Sequence, residues 1–316
     1  MPRRTLTLLG VLAVATLGAT LAVRAQAPAA SQRGWTAPRT VWGDPDLESI
    51  WTYATMTPLE RPRELADKAT LTPEEAAAYE RQTYERQSTT NNTAGPDWWD
   101  PGTRHLTNRR TSLIVDPANG RVPALTADAQ QRAAARARAR RDRGPAEGPE
   151  DLALNERCLQ WSTAGPPMLP GVYNNNVQII QTRAYVVVVN EMIHDARIVP
   201  MDGRPHGTTP RWMGDPRGHW DGATLVIDTV GFTDKTSFRG ADERLHLVER
   251  LTRTDADTID YQFTIDDPTV WTETWAAAFP LHRTIGPMYE YACHEGNARS
   301  VEGILKGSRV QEQDRK

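Results

Sequence analysis

Three clusters of ionisable residues carry whatever chemistry this chain can perform. The densest is Glu191-Met192-Ile193-His194-Asp195-Ala196-Arg197. An imidazole exchanges protons near neutral pH, so His194 with a carboxylate such as Asp195 is the first candidate acid–base pair. Glu191 and Arg197 flank it as binding or orienting groups. Adjacent strand residues point to opposite faces, so His194 and Asp195 meet directly only where the chain is bulged. A purely structural network of Asp195 with an arginine is the competing reading.

The second cluster lies in the alternating run 245–253. Leu245, Leu247, Glu249 and Leu251 share one face, and His246, Val248 and Arg250 share the other. The leucines mark the inner face, so Glu249 is predicted to point inward and is the third candidate catalytic residue. A carboxylate in apolar surroundings either pairs with a cation or binds its proton more tightly. On the same logic Glu273, between Trp271 and Trp275, is a candidate second inward carboxylate, with an edge strand as the alternative.

The third cluster is MYEYACHEGN, where Glu290 and His294 share a parity and Glu295 and Asn297 follow. His294 completes the catalytic candidates, with Glu290 and Glu295 as binding groups. His194, His246 and His294 together are the candidate ligands of a divalent metal, although no tight spacing such as HExxH supports one. No cofactor is predicted beyond that metal alternative. Asn174, Asn175 and Asn176 follow Pro170-Gly171 and offer amide donors to a polar ligand group, or simply form a turn.

These residues need elements to position them. The strands expected from β-branched, aromatic and alternating runs are 177–181, 185–189, 224–229, 245–253, 259–265, 271–279 and 288–294, with a short one at 111–115. Their short connections predict a mainly β fold, an antiparallel meander closing into a lipocalin-like barrel. A two-sheet β-sandwich is the alternative. Thr72-Pro73-Glu74-Glu75 starts a helix running to about Gln87, and Thr126-Ala127-Asp128 starts a second, Ala/Arg-rich one. That basic helix lacks an apolar face beyond alanine and reads as a solvated peripheral insertion. The chain therefore divides into 1–25, 26–150 and 151–316: a signal peptide, an extended arm with helices and the basic insertion, and the barrel. The last two are expected to pack as one unit.

The first residues have an arginine start, an apolar stretch from Leu8 to Val23 and a small-residue ending near Ala25. This is the pattern of a secretory signal peptide, and it predicts a periplasmic or secreted protein. Arg3-Arg4 leaves the twin-arginine route open. No later segment is long and apolar enough to cross a membrane. In an oxidising compartment the two cysteines, Cys158 and Cys293, are expected to form one disulfide, which closes a long loop and is worth ~4–5 kcal/mol in the chain-entropy model. The bridge is expected to tie the start of the β-rich half to its last strand. A net charge of −3 with no basic stripe argues against nucleic acid as a partner. There is no phosphate loop, dinucleotide glycine pattern, GxSxG elbow or haem motif.

The strings EMIHDARIVPMDGRPH, HWDGATLVIDTVGFTDKTSFRG, HLVERLTRTDADTIDYQFTIDDP and YEYACHEGN resemble a large group of uncharacterised exported bacterial proteins. The resemblance covers most of 40–305 and implies export, but brings no activity, cofactor or catalytic residue. The expected function is thus an exported enzyme using His/carboxylate acid–base chemistry, of lyase, isomerase or hydrolase type. Its substrate is a small, partly apolar molecule in a barrel pocket. A periplasmic carrier of an apolar ligand is the first alternative. An envelope interaction protein presenting Trp35, Trp42 and Trp51 on its arm is the second.

Overall fold

A computed structural model describes residues 35–90, 105–143, 148–235 and 238–313, with Gly102 and Ala146 besides. The signal-peptide segment 1–25 lies outside the described residues. The described residues hold ten strands: β1 (Ser49–Thr52), β2 (Ile114–Asp116), β3 (Asn176–Gln181), β4 (Tyr185–Asn190), β5 (Ala196–Pro200), β6 (Asp215–Asp221), β7 (Thr224–Val230), β8 (His246–Asp255), β9 (Thr258–Asp266) and β10 (Trp275–Arg283). Nine run in the order β5-β4-β3-β1-β10-β9-β8-β7-β6, and every pairing is antiparallel. The sheet is nearly closed into a barrel, as its alternating pattern requires. β2 lies along the first part of the β10 edge that β1 continues.

One feature departs from a simple meander. The runs β3–β5 and β6–β10 are joined by β1, which comes from the segment expected to be an extended arm packed on the barrel. Trp51 of β1 is fully buried and its indole N–H donates to Leu47 O at 2.9 Å, so the arm is tied into the wall. Arg253 and Arg283 pack over the same indole.

β5 and β6 approach each other at the remaining gap. A side chain at Gly218 of β6 would place its Cβ against Met201 Sδ and 2.9 Å from Val199 Cγ1. Only glycine allows this approach, which brings the two end strands together by packing. Alternation fills the interior with Val177, Val188, Ile227, Leu247, Tyr261, Phe263 and Phe279, all buried. The barrel is therefore a packed core.

Three helices sit outside: α1 (Pro73–Thr90), α2 (Ala127–Arg143) and α3 (Asn297–Gln313). Thr72 and Glu75 form the capping box of α1, each side chain accepting from the other's backbone N–H at 3.2 and 2.9 Å. Thr126 caps α2, accepting from Ala129 N at 3.1 Å. α3 carries no such signal and was not expected from the sequence. No described helix is long and apolar enough to cross a membrane.

Three expectations need correction. Residues 288–294 form no strand: Tyr289 N donates to the Glu191 side chain, and Cys293 is held by its disulfide to Cys158, a separation of 135 residues. The bridge thus fastens two irregular segments, with no strand at either end. The strand expected at 271–279 begins only at Trp275, because Val270 and Trp271 turn back onto Asp267 O. Glu273 is exposed in that connection. The short strand expected at 111–115 is shifted to Ile114–Asp116.

Candidate functional site

The turn between β4 and β5 is built around a buried carboxylate. Glu191 accepts from Asn176 Nδ2 at 2.7 Å and from Tyr289 N at 3.0 Å, while its own N–H donates to Asn176 O at 2.9 Å. Met192 and Ile193 are buried against Ala164, with Trp161, Tyr173, Tyr291 and Cys293 around them. Seating these two apolar side chains forces Ile193 and His194 into left-handed backbone, at φ 57° and 47°. Consecutive non-glycine residues there are strained, a condition that concentrates at functional sites.

The strained turn pushes His194 outward. Its Nδ1 lies 3.2 Å from Tyr291 O. A carbonyl only accepts, so this bond puts the proton on Nδ1 and leaves Nε2 as the free basic nitrogen. The His294 ring stands 6.1 Å away. Asp195 is half-buried, and among the described residues its Oδ2 is sealed from solvent without a hydrogen-bond partner. Burial raises its carboxyl to about 6, against the opposing pull of His194 and Arg197. A carboxyl that changes charge near neutral pH beside an imidazole with a free nitrogen is competent for proton transfer.

Trp161, Tyr173 and Tyr291 form an aromatic group with ring centroids 6.1 to 6.4 Å apart. Burial, with a hydrogen bond that the Tyr173 hydroxyl gives to Tyr291, pushes the Tyr173 phenol up to about 12. Beside this group runs a cleft of about 390 Å³ whose lining includes Met56, Leu59, Trp161, Leu169, Val172 and Met192. Trp161 belongs to both and Met192 of the β4–β5 turn lines the cleft, so the cleft adjoins the His194 turn. Its volume and apolar lining suit a small, partly apolar molecule.

Glu249 does point inward, and it is fully buried. Arg197 holds it with two bonds, Nη1 to Oε2 at 2.5 Å and Nη2 to Oε1 at 3.0 Å. Tyr261 donates its hydroxyl to Oε1 at 2.6 Å and accepts from Met168 N at 3.1 Å. Burial raises the Tyr261 phenol, and the Glu249 charge raises it further. Glu249 is therefore an interior strut, separate from the exposed His194. Tyr53 is raised mainly by burial, with Glu191 adding to it.

The other sequence candidates distribute as follows. Asn176 serves the Glu191 anchor. Asn175 is buried and closes the 171–175 turn, accepting from Gly171 N at 2.6 Å and donating to Gly171 O at 3.1 Å. Asn174 occupies the left-handed position of that turn, φ 53°. Glu290 and Glu295 are exposed. His246 points out of β8 and bonds Asp228 at 2.9 Å, which also bonds His206 at 3.0 Å. His246 is thus engaged elsewhere than the His194–His294 pair. Among the described residues no group of three or more His, Cys, Asp or Glu is disposed to hold a metal ion.

Sequence reasoning passed over Trp161, Tyr173, Tyr291, Tyr261 and the His206–Asp228 contact. Tyr261 was accessible in principle, since it shares the inner parity of Ile259 and Ile265. The aromatic group was not, because it is assembled by the disulfide-linked segments around Cys158 and Cys293. The chain matches no protein-family model, no curated protein and no solved structure.

Proposed function

We propose that this chain is an exported enzyme of the acid–base type, related to the exported bacterial group its motifs resemble. It moves a proton on a small, partly apolar molecule held in the aromatic cleft beside the β4–β5 turn. The carrying observation is the Asp195 carboxyl, half-buried with one oxygen sealed and unpartnered, next to a strained and outward-facing His194. His194 Nε2 is the base nitrogen, Asp195 the second proton-exchanging group, and His294 a neighbouring polar contact. Such a pair serves isomerisation, elimination or ester cleavage alike. Disulfide formation between Cys158 and Cys293 agrees with export into an oxidising compartment.

The barrel interior is filled by side chains, so the site belongs at the turn and not inside the wall. The same filling weighs against a carrier that holds its ligand inside the barrel. Burial of Trp51 weighs against a Trp-lined envelope contact.

The test is deuterium incorporation into a panel of small carbon acids in heavy water, together with cleavage of small aryl esters, by the mature protein. Loss of turnover by about a hundredfold or more in His194→Gln and Asp195→Asn, with folding intact, is the expected result. Turnover that survives both substitutions, or none on either panel, counts against the proposal.

A further inference from the structure

We propose that a second cleft, distinct from the aromatic one, binds a small carboxylic acid with an apolar body. This cleft has a volume of about 640 Å³, and its apolar lining includes Leu152, Trp212, Phe232, Phe238 and Leu245. Two basic side chains, Arg157 and Lys235, line it against a single acidic one, Glu150, among the described residues. Neither Arg157 nor Lys235 makes an ion pair with a described carboxylate, unlike Arg197, Arg217, Arg239 and Arg250.

Two buried polar atoms in this lining lack partners. Gln160 is 8 % exposed; its Nε2 donates to Gly165 O at 3.3 Å, yet its Oε1 has no donor. Arg157 Nε is likewise sealed from solvent and without an acceptor among the described residues. Leaving such groups unsatisfied is costly, and a small turn of either side chain toward the cleft would satisfy it with a polar ligand group. A guanidinium with no ion pair to a described carboxylate suits an anion, and a carboxylate matches its fork geometry. The aromatic and leucine lining calls for an apolar body of moderate size. This site stands independently of the acid–base proposal, since none of its lining residues belongs to the His194–Asp195 turn.

Decanoate below its micelle concentration is the probe, titrated calorimetrically into the mature protein, with decan-1-ol as the uncharged comparison. Saturable one-site binding is expected, with decan-1-ol and the Arg157→Gln variant each weaker by about tenfold or more. Lys235→Gln should weaken binding less and reduce its salt dependence. Asp195→Asn should leave decanoate affinity unchanged, which separates this site from the catalytic one. Absence of saturable binding, or equal affinity for acid and alcohol by the unsubstituted protein, overturns the proposal. The acid–alcohol comparison needs no variant, so it decides the question even if Arg157→Gln fails to fold.

Discussion

Arg197 of β5 and Glu249 of β8 are joined by two hydrogen bonds across the inside of the barrel, spanning the seam where β5 and β6 meet without a ladder. The two ends of the sheet are thus connected twice, by glycine-permitted packing at Gly218 and by a buried ion pair. An ion pair taken out of water contributes little net stability, but removing one partner strands the other charge.

Glu249→Gln should therefore destabilise the protein by about 3–5 kcal/mol, as read from urea or thermal unfolding. The Arg197→Met/Glu249→Leu double variant should lose less than either single one. A loss in the double variant equal to the sum of the two single losses would show that the pair is not energetically coupled.

Asp195 predicts the opposite sign. Its folded carboxyl is raised to about 6 from an ordinary 3.8, so between those values the folded state binds the extra proton. Stability from this group falls as pH rises through that window and stays lower above it. Asp195→Asn should accordingly raise the melting temperature near neutral pH and change it little below about pH 4. A variant that melts lower at neutral pH would show that the ionised carboxylate is a structural asset.

The outward network of His206, Asp228 and His246 predicts a bell. A hydrogen bond from His246 holds the Asp228 carboxyl below the usual range, a contribution lost as pH falls through the lowered value. The same bond raises His246 above its ordinary 6.5, a contribution lost as pH climbs through the raised value. Asp228→Asn should cost most at mildly acidic pH and least near about pH 9, in melting curves across that range. A pH-independent cost would remove the imidazoles from the account.

Reduction of the Cys158–Cys293 bridge should cost about 2–5 kcal/mol, and denatured, unreduced protein should show no free thiol. Since Tyr291 O holds the His194 ring, any activity should fall with reduction before the barrel unfolds. Activity unaffected by reductant would detach the disulfide from the site.

The parts legible in the sequence were those where the neighbours of a residue are its own strand. Period-two alternation in 245–253 assigned the inner face correctly, including the inward Glu249, and marked 259–265 as a strand. Alternation alone misread 288–294, where tyrosines alternate with polar residues yet no strand lies alongside to accept the pairing. Ala196–Pro200 and Asp215–Asp221 escaped notice because Arg197, Pro216 and Gly218 interrupt the apolar pattern, and their strand character comes from partners in the sheet. The raised Asp195 carboxyl depends on burial by distant segments, and the Asp228 contact joins residues brought together only by the barrel. Neither leaves a local trace.

The segment from Gln160 to Thr163 gives alternate side chains to the two clefts, Gln160 and Ser162 to one and Trp161 and Thr163 to the other. A single stretch of backbone is therefore the shared wall of both. On the two proposals above, ligands on its two sides would press on the same backbone, and any change that an acid at Arg157 made to affinity in the aromatic cleft would be matched by the same factor in reverse.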